Sequence, residues 1–98
     1  MKVELSDEAK QQARKINAWW RGNRDAKGLF KEELAAAKKA LRRDASKLAV
    51  YSNEEGQAVR RLLLTKTSYH LYYVIDEKRG VVRVAAIWGA ARGSGPAL

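Results

Sequence analysis

Residues 59–88 decide the fold. They read Val59-Arg60-Arg61-Leu62-Leu63-Leu64-Thr65, Tyr69-His70-Leu71-Tyr72-Tyr73-Val74-Ile75-Asp76 and Val81-Val82-Arg83-Val84-Ala85-Ala86-Ile87-Trp88. Each run is short and rich in β-branched, aromatic or leucine side chains. The intervening Lys66-Thr67-Ser68 and Glu77-Lys78-Arg79-Gly80 are short enough for hairpin loops. Three such strands in succession predict a meander. Strand side chains alternate between faces. Tyr69, Leu71, Tyr73 and Ile75 therefore share one face, and His70, Tyr72, Val74 and Asp76 share the other. Arg60 and Arg61 are divided in the same way: one points to the helices or the rim, the other to the open sheet face.

Upstream, residues 44–57 show no clean period, and Ser52-Asn53-Glu54-Glu55-Gly56 reads as a turn cluster. Before them, Phe30, Leu34, Ala37 and Leu41 repeat at helical spacing, with Leu29, Ala36 and Ala40 widening the stripe. Lys27, Lys31, Lys38, Lys39, Arg42 and Arg43 lie largely off it. A helix is predicted at 26–43, capped by Asp25. Ala9, Ala13, Ile16 and Trp20 mark a helix at about 7–21, with Ser6 as N-cap and Asp7 and Glu8 on the positive end of its dipole. Lys2-Val3-Glu4-Leu5 alternates as a short strand. The layout is β-α-α-β-β-β in the α+β class, with a helical hairpin on one face of a small, mainly antiparallel sheet. The first strand joins that sheet either at an edge or centrally. The tail at about 93–98, Gly93-Ser94-Gly95-Pro96-Ala97-Leu98, is expected to be flexible unless a partner holds it.

The 98 residues suit a single domain, 1–98, and the composition is globular. Twenty Lys and Arg against eleven Asp and Glu give a net charge of +9. Such a balance favours nucleic acid, an acidic protein or an anionic surface as partner. The charge is distributed: residues 1–50 hold thirteen basic and seven acidic residues, and 51–98 hold seven and four. No cysteine and a single histidine exclude a disulfide framework, a thiol nucleophile and a Cys- or multi-His metal site. No metal and no cofactor are expected. Nothing reads as a membrane span or a signal peptide, so an intracellular protein without membrane contact is expected.

No phosphate-cradling glycine loop and no catalytic constellation stand out. The candidates lie on the strands. An arginine on an open sheet face can hold a phosphate or carboxylate in fork geometry; the plain alternative is a cross-strand ion pair. The cluster Tyr69-His70-Leu71-Tyr72-Tyr73 can stack bases, or it can be ordinary strand content. His70 is a candidate acid or base, and Trp88 and Trp19 are candidate anchors for a partner. Trp20 belongs to the helix stripe and so to the core.

These elements, in this order, resemble the RelE/ParE toxins of type II toxin–antitoxin systems. The resemblance is carried by Val59-Arg60-Arg61-Leu62, by Tyr69 to Asp76, and by Val84 to Trp88. The closing Trp88-Gly89-Ala90-Ala91-Arg92-Gly93-Ser94-Gly95-Pro96 is similar to the ParE-like branch in particular. It implies a cytoplasmic bacterial protein neutralised by a cognate antitoxin, whose acidic or amphipathic segment wraps the toxin. It implies contact with operator DNA only through that antitoxin. RelE-like members cut mRNA on the ribosome, and ParE-like members poison DNA gyrase. Measured against the nuclease set, Arg61 fills one basic position and Leu63 stands at the next. His70 replaces an arginine, Ala91 or Arg92 falls at another, and no tyrosine follows Tyr73. The depleted set points to gyrase. The residues implied for target binding are Arg60, Arg61, His70, Tyr73, Trp88 and Arg92, and for the antitoxin Trp19, Phe30 and Leu34. Under the alternative, a metal-independent mRNA endonuclease, Arg61, His70 and Arg92 carry catalysis.

Overall fold

The computed structural model describes residues 1–91 and 95–98. Its elements are β1 (Lys2–Leu5), α1 (Asp7–Asn23), α2 (Leu29–Asp44), a single 3-10 turn (Ala45–Lys47), β2 (Val50–Glu54), β3 (Gln57–Leu64), β4 (Tyr69–Asp76) and β5 (Val81–Gly89). The architecture is α+β, with two helices packed against a five-stranded mixed sheet of order β1-β5-β4-β3-β2. The first strand lies at an edge, parallel to β5, and the other pairings are antiparallel.

Two expectations change. The meander has four strands, because Val50–Glu54 pairs with β3 across a two-residue turn. That turn is Glu55-Gly56, both at positive φ (53° and 81°), the hairpin geometry whose twist matches its strands. Ser52, Asn53 and Glu54, read as turn residues, are strand residues here. A bulge at Tyr51 interrupts the alternation of this edge strand, which explains why no period was visible. The second helix starts at Leu29 with Gly28 as its cap, not near Asp25. Asp25 instead accepts a backbone bond from the Lys27 amide through its own carbonyl.

Ser6 caps α1 as expected, accepting from the Ala9 amide at 3.1 Å. The core lies between the helices and one sheet face. Ala9, Trp20, Phe30, Leu34, Ala37 and Leu41 meet Leu64, Leu71, Tyr73, Val82, Val84 and Ile87. Glu33 of α2 anchors the β3–β4 turn. Its carboxylate accepts from the Lys66 amide (2.7 Å), the Thr67 amide (3.0 Å) and the Thr67 hydroxyl (2.6 Å).

Candidate functional site

The sheet face away from the helices is built by strand alternation. β3 contributes Val59, Arg61 and Leu63; β4 contributes His70, Tyr72 and Val74; β5 contributes Arg83, Ala86 and Trp88. Register places Arg61 opposite Tyr72, Leu63 opposite His70, Val74 opposite Arg83, and His70 opposite Trp88. A bulge at Ala85 keeps both Val84 and Ile87 in the core while Ala86 and Trp88 reach the second face.

The aromatic groups on this face are linked. The Tyr51 ring meets Tyr72 edge-on at 5.0 Å, and His70 lies 5.9 Å from Tyr72. The Arg61 guanidinium sits over the Tyr51 ring at 4.6 Å, a cation–π contact that orients the charge along the sheet. Partial burial and the neighbouring Arg61 charge hold the His70 imidazole below its ordinary pKa. At neutral pH His70 is therefore uncharged, able to accept a proton but poorly suited to donate one. No group of three or more His, Cys, Asp or Glu that could hold a metal occurs among the described residues.

The arrangement separates the sequence candidates. Arg61, His70 and Trp88 share the second face. Arg60 does not: its guanidinium donates to the Leu48 carbonyl and ties β3 to the segment after α2. Tyr73 is corrected outright. It is 0% exposed, and its hydroxyl donates to the Ala45 carbonyl at 2.6 Å, so it cannot touch a target. Its burial pushes the phenol pKa up to about 12, against the opposing pull of Arg60. Arg92 lies outside the described residues, as do Gly93 and Ser94 of the tail. Gly95 packs on the second face against Tyr51, so this part of the tail is in contact with the fold.

The three helix candidates divide between two grooves. Trp19 is 46% exposed, and with Lys15, Ile16, Tyr69, Ile87 and Trp88 it lines a groove of about 300 Å³ beside β5. Arg24 lies against its ring at 5.4 Å. Phe30 (1% exposed) and Leu34 (8%), the other two residues implied for the antitoxin, are core residues with little surface to offer a partner. They form only the floor of a second groove of about 300 Å³ on the other flank of α1. Its rim holds Arg14, Lys31 and Lys38, and no carboxylate lines it.

Three residues of the second face escaped the sequence reading. Arg83 interrupts a run of valines at the spacing of an outward position, a signal that alternation alone could have flagged. Leu63 was noted only for the cation it replaces. Tyr51 was hidden by the bulge in a strand that was not recognised. Compared with known proteins, the chain matches no family model, no curated protein and no solved structure significantly.

Proposed function

We propose that the chain is the toxin of a type II toxin–antitoxin pair, of the ParE-like kind. In this reading it binds DNA gyrase through the second sheet face and blocks replication, and a cognate antitoxin neutralises it. The reading is carried by one observation: a face with two exposed arginines, Arg61 and Arg83, set among tyrosines and Trp88. Such a face is made for contact with a charged macromolecule, and its acid–base equipment is poor. The only histidine is uncharged at neutral pH, and the apolar Leu63 stands beside it. The acidic antitoxin segment suits the second groove, where an apolar floor is bordered by three cations.

A second reading is a ribosome-dependent mRNA endonuclease. It is favoured by the neutral His70, a competent proton acceptor within one strand of Arg61. Pulse-labelling after induced expression in bacteria separates the two. Early loss of thymidine incorporation with methionine incorporation intact is expected for gyrase poisoning. Early loss of methionine incorporation would transfer the assignment to the nuclease, and normal labelling with soluble protein accumulating would remove the toxin reading.

A further inference from the structure

Tyr72 points away from the helices, yet it is only 2% exposed. Val59 and Ala86 beside it are buried too, on a face that has no helix layer. Something other than the helices must exclude water there. The Tyr51 ring covers one side. His70, Val74 and Trp88 pack around Tyr72 as well, and Gly95 adds a further contact: a β-carbon added there would lie 2.5 Å from the Tyr51 hydroxyl oxygen and 3.7 Å from that of Tyr72. The Gly95 backbone thus lies against the Tyr51 hydroxyl and near that of Tyr72, and a side chain at this position requires the Tyr51 ring or the Gly95 backbone to shift. Pro96 follows, half-buried, and its ring biases Gly95 towards an extended conformation. Ala97 and Leu98 are exposed. One glycine and one proline supply little buried area, so the contact opens at a small cost in free energy.

We propose that Gly95 and Pro96 form a displaceable cover over the Tyr51–Tyr72 pair, and that a target takes this face only when the cover lifts. The inference rests on the reading of this face as the target contact. The cover lowers apparent affinity by the fraction of molecules in which it is closed. A partner that supplies its own contacts to Tyr51, Tyr72 and Arg61 displaces it.

The test compares three proteins: the full chain, Gly95→Val, and a chain stopped before Gly95. Tyrosine nitration by tetranitromethane, mapped by peptide mass, reads the cover without any target. Tyr73, on the helix side, serves as the internal reference for an intact fold. Nitration of Tyr72 is expected to rise several-fold in both variants while Tyr73 stays protected. Binding of purified gyrase is expected to tighten several-fold in parallel. An unchanged Tyr72 rate overturns the cover. Weaker gyrase binding by the shortened chain overturns it as well, because the segment would then be part of the contact surface. If Tyr72 becomes reactive and none of the three proteins binds gyrase, the cover stands and the gyrase assignment falls.

Discussion

Tyr73 and His70 lie three residues apart on one strand, and burial moves them in opposite directions because it disfavours an anionic phenolate in one and a cationic imidazolium in the other. Tyr73 is sealed in the core with its hydroxyl on the Ala45 carbonyl, and its pKa rises to about 12. The unfolded phenol titrates near 10, so between these values the unfolded chain loses a proton that the folded chain keeps. Stability from this group is complete below pH 10 and is lost as pH climbs towards 12. His70 has the reverse sign: its folded pKa lies below the unfolded 6.5. Its contribution is complete above pH 6.5 and is lost as pH falls from there through the folded value. Urea unfolding across pH should therefore show an alkaline decline that Tyr73→Phe reduces and an acid decline that His70→Gln reduces. At neutral pH, Tyr73→Phe should cost about 1–2 kcal/mol, because it leaves the Ala45 carbonyl without this donor. An alkaline arm unchanged by Tyr73→Phe would show that the phenol is not sealed.

At the scale of elements, the first turns of α1 take over part of a strand's role. β1 pairs with β5 only along Val81–Val84. Beyond that point the Ser6 hydroxyl donates to the Ala85 carbonyl at 3.0 Å, and the Gln12 side-chain oxygen accepts from the Ile87 amide at 2.7 Å. Ser6→Ala removes both the helix cap and a bond to the bulge, and should cost about 1–2 kcal/mol in denaturant titration. Gln12→Ala should leave the fold intact while accelerating hydrogen exchange at the Ile87 amide; continued protection there would mean that α1 does not guard the edge. The parts of the fold visible in the sequence were those with an unbroken period. Both helix stripes and the β3–β5 runs could be followed, and the Tyr69–Ile75 face was read correctly. Irregularities concealed the rest. The Tyr51 bulge hid β2, the Glu55-Gly56 turn was buried in a longer polar run, and the Ala85 bulge broke alternation on β5. Arg61, His70 and Trp88 were implied as one site by the family resemblance, since alternation left open which of Arg60 and Arg61 faces outward and the Ala85 bulge hid the facing of Trp88; Tyr51 depended on a bulge that spacing does not encode.

Across the whole molecule, a charge of +9 sits over a body whose described residues form the ion pairs Lys47–Asp44 and Arg79–Glu4. Both involve substantially exposed side chains, so they contribute little to stability. The excess cations are instead a resource for association. Under the proposed toxin–antitoxin reading, stopped-flow mixing with an acidic antitoxin segment should show an association rate that falls steeply with added salt, while dissociation changes less. A rate indifferent to salt would remove the electrostatic part of recognition. The strand order has a different kind of consequence. β5, the last strand along the chain, lies between β4 and β1, the first. During synthesis, β1 and the helical hairpin leave the ribosome long before their neighbour exists, and domains assemble only as their parts emerge. Until residues 81–89 are out, β1 has no pairing partner and the second face lacks Arg83, Ala86 and Trp88. Under the toxin reading proposed above, the target face is therefore complete only once β5 has emerged, and an antitoxin already present has that interval in which to meet the chain.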